Sequence, residues 1–319
     1  MKRVICIVLT LAMVLGLSVF PAFADNENQQ NYACEYVSLK TEDGVSLPGL
    51  CYMPTGETNK IGILFSSGQG ATFYAPMATS YLAPHYASLG YVFLSLDRRD
   101  AGPNNACYGF NESVMDHKYG VDYLESLGCE KIIFIGHSYG CITALQYTYL
   151  TKDPRVAGFA LYAPIGSLYE AYFVYQGQEV IDGVIAECKA KVEEGNGAEY
   201  FLMPGFMPGA AVSLATYAAV LDKRSPETEG NGPAIAAKLS DTALPILCVR
   251  DPVDAAPAVM GPTNEVADQY IQSNPNLQYV YLEDTREEGD TTVSIAAHGM
   301  LGKMDEVIEI TDNWIKEIN

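Results

Sequence analysis

The run Ile132-Ile133-Phe134-Ile135 leads straight into Gly136-His137-Ser138-Tyr139-Gly140, and residues with helical character follow to Leu150. Four β-branched or aromatic residues without polar alternation describe a strand buried on both faces, the kind found in parallel sheets covered by helices. The turn that follows leaves little freedom. A serine on a tight strand-to-helix turn is held exposed in a strained backbone conformation, and its flanking glycines avoid collision with the adjoining strand and helix. The positive end of the helix lies beneath it, and the Tyr139 amide points where negative charge would develop. Ser138 is therefore the candidate nucleophile; the alternative is a bystander serine in a glycine-rich turn.

The same strand-helix rhythm runs through most of the chain. Strands are predicted over Ile61–Phe65, Tyr91–Leu96, Lys131–Ile135, Val156–Tyr162, Pro245–Val249 and Leu277–Leu282. Helices are predicted over Met77–Leu89, Asn111–Leu127, Tyr139–Leu150, Asn264–Ser273 and Lys303–Ile318. A hairpin, Glu35–Leu39 and Val45–Leu50 around Glu42-Asp43-Gly44, precedes them. This pattern predicts an α/β protein with a mostly parallel central sheet and helices on both faces. Between Ala163 and Lys223 the rhythm stops. Helical periodicity there covers Leu168–Val174 and Val180–Val192, before the glycine- and proline-rich stretch Met203–Gly209. Residues 163–223 read as a mostly helical insertion into a core made of 25–162 and 224–319.

The first 24 residues read as an export signal. Lys2 and Arg3 precede the apolar run Val4–Phe20, and Ala22-Phe23-Ala24 is the small-x-small pattern a signal peptidase accepts. An uncleaved anchor is the alternative, which Pro21 and the Ala-x-Ala site disfavour. Asn26–Asn31 forms a polar lead after the cleavage point. No second long apolar run follows, so the mature chain is expected to be extracytoplasmic, without stable membrane insertion. The formal charge is −20, and loss of Lys2 and Arg3 makes it more negative still. With no basic stripe, nucleic acid and anionic lipid are poor candidate partners, because phosphate binding is driven by cationic contacts.

Seven of the eight cysteines remain after residue 24, at 34, 51, 107, 129, 141, 188 and 248. An odd number in an oxidising compartment leaves at least one thiol unpaired. Cys34 and Cys51 stand almost symmetrically about the hairpin turn, which suggests either a cross-strand disulfide or two half-buried thiols. Cys141 and Cys248 fall in apolar segments and read as buried small hydrophobes. The chain has no Cys-x-x-Cys and no His-x-x-x-His, so neither a metal nor another cofactor is expected.

A serine nucleophile requires a base, itself oriented by an acid. Of the four histidines, His137 is adjacent to Ser138 and is expected to point away from it, while His85 and His117 fall within predicted helices. His298 remains, on a loop between the last strand and the last helix, where parallel sheets place their sites. The acid should follow the strand that ends near Arg250. Asp251 adjoins that strand and reads as an ion pair or turn residue. Asp254, deeper in the loop, has the reach to meet an imidazole and is favoured, with Asp251 in reserve.

Taken together these stretches resemble the α/β-hydrolases. Gly136–Gly140 matches the family's nucleophile elbow, Ala297-His298-Gly299 its base loop, and Asp251-Pro252-Val253-Asp254 the place where many members have Gly-x-x-Asp. Asp97-Arg98-Arg99-Asp100-Ala101-Gly102 resembles the family's Asp-x-Arg-Gly-x-Gly, with Asp100 in place of the first glycine. The chain order Ser138, Asp254, His298 is also that of the family. The insertion falls where the family places its cap. Where many relatives have His-Gly, this chain has Ser67-Gly68-Gln69-Gly70, and the resemblance assigns the Gln69 backbone amide to an oxyanion hole with that of Tyr139. Acyl transfer to water is implied, with a carboxylic ester as the expected substrate. An aminopeptidase using Glu170 or Glu179 for a substrate ammonium, and a binding protein on a hydrolase scaffold, are the alternatives. Tyr169, Tyr172, Phe173 and Tyr175 either line a pocket or pack the insertion. Glu283–Asp290 carries five acids and one Arg just before the base loop, either a rim that repels anionic substrates or a solvated loop.

Overall fold

A computed structural model describes residues 31–205, 212–256 and 265–318, with all their side chains except those of 173–175. The export signal, most of the polar lead, residues 206–209 of the glycine- and proline-rich stretch, and Asn264 lie outside the described residues. So do the side chains of Phe173 and Tyr175.

β1 (Tyr32–Lys40) and β2 (Ser46–Pro54) form an antiparallel hairpin turned at Gly44, whose φ of 86° suits glycine. The core strands β3 (Ile61–Ser66), β4 (Val92–Leu96), β5 (Lys131–His137) and β6 (Val156–Tyr162) follow. After an inserted pair, β7 (Tyr200–Pro204) and β8 (Val212–Thr216), the core resumes with β9 (Ile246–Arg250) and β10 (Leu277–Tyr281). The eight-stranded sheet has the order β1-β2-β4-β3-β5-β6-β9-β10. Its strands from β4 to β10 pair in parallel, and β2 runs against both of its neighbours.

The two-residue period of β5 explains how both faces are buried. Ile132 and Phe134 pack with Val121, Leu124, Ile142, Leu145 and Tyr270. Ile133 and Ile135 pack on the other face with Leu82, Tyr86, Val307 and Ile315. Helices His117–Ser126, Tyr139–Thr151, Gly232–Lys238 and Glu265–Ser273 supply the first layer; Ala83–Ser88, continuing a π-helical turn at Met77–Leu82, and Met304–Ile318 supply the second. Each large aliphatic side chain so buried stabilises the fold by roughly 1.5–3 kcal/mol. This is the layered architecture that the alternating sequence pattern predicts.

Three sequence expectations are modified. The helix predicted over Asn111–Leu127 is broken into Phe110–Val114 and His117–Ser126. At the break, the Asp116 carboxylate accepts from the Arg99 backbone N–H at 2.7 Å and from its guanidinium at 2.9 Å. The segment between β6 and β9 is not mostly helical throughout: besides Leu168–Gln176, Gln178–Glu193 and Tyr217–Arg224 it contains the antiparallel pair β7-β8. Met203 and Ala215 of that pair join Tyr172, Ile181, Cys188 and Val220 in a separate core, so Tyr172 packs the segment. Finally, the hairpin register pairs Cys34 with Tyr52 and Glu35 with Cys51. That one-residue offset sends the two thiols to opposite faces of the sheet, and both are free. Burial pushes the Cys51 thiol up to about 12. Cys141 and Cys248 are fully buried, as their apolar surroundings predict. Among the described residues no helix is long and apolar enough to cross a membrane.

Candidate active site

Ser138 sits between β5 and the helix Tyr139–Thr151 with φ 55° and ψ −121°. For a residue with a side chain such a conformation costs about 1–3 kcal/mol and survives only where the surroundings enforce it. Here the Ser138 N–H donates to the Tyr162 carbonyl at 2.9 Å, and its own carbonyl accepts from Cys141 N–H at 3.0 Å. The flanking glycines are a steric requirement. A Cβ on Gly140 would stand 1.9 Å from the Ser66 carbonyl oxygen, and one on Gly136 would stand 2.8 Å from the Cys141 backbone.

The end of β3 delivers a second loop to this turn. A Cβ on Gly68 would lie 3.2 Å from that of Ser138, so Ser67-Gly68-Gln69 passes against the serine. Among the described residues the Gln69 backbone N–H has no acceptor, and its side-chain Nε2 is buried without a partner. Tyr139 opens its helix, so its N–H has no intrahelical acceptor either. The two segments next to Ser138 thus each carry a backbone amide without an acceptor among the described residues.

Asp254 and His298 come together from separate loops. His298 lies on the 3-10 turn Ile295–Gly299, and its Nδ1 donates to Asp254 Oδ2 at 2.9 Å. The second carboxylate oxygen accepts from Ala256 N–H at 2.8 Å. Backbone bonds fix the two loops to each other: Ser294 N–H donates to the Val253 carbonyl at 2.8 Å and Ala255 N–H to the Ser294 carbonyl at 3.1 Å. With Nδ1 occupied, Nε2 is the ring atom left to exchange a proton. Asp251 stands elsewhere, accepting from Lys303 Nζ at 3.0 Å and from Val253 N–H at 2.9 Å. Ser138 Oγ and His298 share no hydrogen bond among the described residues. The link between them runs through His137, next to Ser138 in the chain and bonded to His298.

His137 is the residue whose importance the sequence concealed. Its Nε2 donates to the His298 carbonyl at 2.8 Å, and the two rings stand 4.9 Å apart. Burial, with the neighbouring His298 ring, lowers it to about 4, so at neutral pH it is the uncharged donor. It is the last residue of β5, and its ring packs against the base loop. The available signal was its place one residue before the nucleophile. The other two histidines serve structure. His85 pairs with Asp312 at 2.9 Å. His117 is sealed in the core, its Nε2 3.2 Å from Ser66 Oγ and 3.1 Å from Thr143 Oγ1, and burial holds it well below the usual histidine range.

A mostly parallel eight-stranded sheet carrying a strained serine at a strand-to-helix turn is an α/β-hydrolase fold. The chain belongs to the alpha/beta hydrolase family, whose profile matches residues 63–308. No curated protein matches it. Among solved structures it is similar to DcsB, determined in complex with its substrate analogue, at 18% identity and a TM-score of 0.64 over 89% of this chain and 99% of that one. It is also similar to a highly thermostable carboxyl esterase from Bacillus coagulans in complex with glycerol, at 17% identity and TM-score 0.60 over 90% and 99% of the two chains. Est1E from Butyrivibrio proteoclasticus, with ferulic acid bound, aligns at 14% identity and TM-score 0.59 over 89% and 98%. At these identities the likeness concerns the fold.

Proposed function

We propose that the protein is a serine hydrolase that cleaves carboxylic esters through Ser138, His298 and Asp254. The observation that carries this reading is the Asp254–His298 hydrogen bond, held beside the strained Ser138 by His137. Ser138 Oγ attacks the ester carbonyl while His298 Nε2 takes the hydroxyl proton, and Asp254 stabilises the imidazolium that forms. The negative charge on the former carbonyl oxygen is met by the Gln69 and Tyr139 amides. Collapse breaks the ester C–O bond, and His298 returns the proton to the departing alcohol. Water, deprotonated by the same imidazole, then releases the acid and restores Ser138. No step calls for a cofactor.

The carboxyl esterase from Bacillus coagulans among the similar structures supports the choice of ester over amide. Residues 163–223 act as a cap over the site, in keeping with their separate core. In this reading residues 1–24 act as an export signal and the mature protein works outside the cytoplasm. Turnover of a panel of p-nitrophenyl esters and aminoacyl anilides by the wild type and by Ser138→Ala tests the reading. Ester turnover that the substitution abolishes supports it. Anilide turnover alone points to a peptidase, and no turnover at all to a binding protein.

A further inference from the structure

Asp100 stands where the resembling pattern has a glycine, and its side chain is completely buried. It accepts hydrogen bonds from three elements of the fold. Lys223 Nζ, from the inserted segment's helix Tyr217–Arg224, lies 2.6 Å from Oδ2. The Tyr139 hydroxyl donates to the same oxygen at 3.0 Å, and Arg98 Nε donates to Oδ1 at 3.1 Å.

Each donor is tied to something else. Tyr139 provides the backbone amide next to the nucleophile. Arg98 sends Nη1 to Ser66 Oγ at 3.0 Å and to the Ser67 carbonyl at 3.3 Å, two residues before Gln69. Lys223 also donates to the Asn105 carbonyl at 3.1 Å. The Arg98 and Lys223 cations stand over the Tyr139 ring, at 5.0 and 5.6 Å from its centre, and restrict its movement. A buried ion pair adds little net stability, because desolvation offsets most of the attraction. Its geometric effect here is larger: one carboxylate holds the turn bearing Tyr139, the loop bearing Gln69 and the inserted segment at fixed separations.

We propose that Asp100 is a positioning residue that sets the separation of the Tyr139 and Gln69 amides, and that Lys223 makes this setting depend on how the 163–223 segment is seated. The proposal rests on the serine hydrolase reading. Oxyanion donors act only at close range, so a shift of about 1 Å is expected to lower the rate by up to 10²-fold.

The test uses the mature protein, p-nitrophenyl acetate and a fluorophosphonate probe, with Asp100→Asn, Tyr139→Phe and the double variant Asp100→Asn/Lys223→Met. The expected result is a kcat lowered about tenfold in Asp100→Asn and about threefold in Tyr139→Phe, with KM changed by less than about twofold. In the double variant one of the two cations that Asp100→Asn leaves buried without a carboxylate is gone, so Tm recovers part of the way toward the wild type while kcat stays low. Wild-type kcat in Tyr139→Phe and Asp100→Asn, or kcat that recovers together with Tm, overturns the proposal. Tyr139→Phe loses a single hydroxyl and decides the matter if Asp100→Asn does not fold. A wild type that the probe labels, with variants of unchanged kcat, removes this inference alone; a wild type that it does not label removes the hydrolase reading and this inference together.

Discussion

Gly140 and Ser66 are in backbone contact: a methyl group on the glycine would lie 1.9 Å from the serine carbonyl oxygen. The helix that begins after the nucleophile and the strand that leads into the Gln69 loop are thereby locked at one separation. Gly140→Ala is expected to destabilise the fold by about 3 kcal/mol or more, since backbone must move to admit the Cβ. Gly183→Ala is the contrast. Its Cβ would meet nothing within 4 Å, and it lies inside the helix Gln178–Glu193, so a gain of about 0.5–1 kcal/mol is expected. Urea unfolding of both variants checks the pair.

His137→Phe retains an aromatic ring and removes the donor to the His298 carbonyl. With the base loop released, kcat should fall about tenfold or more while KM changes little. Steady-state kinetics on a p-nitrophenyl ester measures this; an unchanged kcat contradicts the anchoring role.

Much of this site was legible in the sequence because its causes are local. A buried strand followed by Gly-x-Ser-x-Gly leaves the chain few conformations, and β5, Ser138 and the helix after it lie where the pattern puts them. Long-range causes were hidden. The break at Asp116 reflects its attachment to Arg99, which helical periodicity does not register. The β7-β8 pair consists of two five-residue runs beside a glycine- and proline-rich stretch, too short for the alternating period of a strand to register. The Cys34 and Cys51 positions look symmetric about the turn, but the ladder register separates them by face. Asp100 did leave a trace, an acid where a glycine is usual, though its partner Lys223 is distant in sequence.

The two aspartates after β9 have different surroundings, and their variants should differ accordingly. Asp254→Asn removes the carboxylate that holds the His298 ring, and kcat should fall by about 10⁴. Asp251→Asn loses its ion pair with Lys303 and should lower Tm while leaving kcat near the wild-type value. Parallel kinetics and thermal melts distinguish them.

Asp97 gives a pH signature. Its Oδ1 accepts from the Phe73 N–H at 2.5 Å, and burial pushes the carboxyl up to about 7. Between the unfolded value near 3.8 and about 7 the native state holds a proton that the unfolded chain has released. Stability from this group is therefore complete below the unfolded value and declines as pH rises through about 7. Asp97→Asn lacks that decline, so its stability relative to the wild type should increase from pH 4 to pH 8, by on the order of 2–4 kcal/mol. Denaturant titrations across that range measure it, and a difference independent of pH contradicts the assignment.

The central claim is that Ser138 is a nucleophile activated by His298. Intact-mass analysis after treatment with a fluorophosphonate tests it most directly. The predicted result is a single adduct on the wild type, mapped to Ser138, absent in Ser138→Ala and formed far more slowly in His298→Ala. A wild type that stays unmodified, or an adduct that persists in Ser138→Ala, contradicts the account.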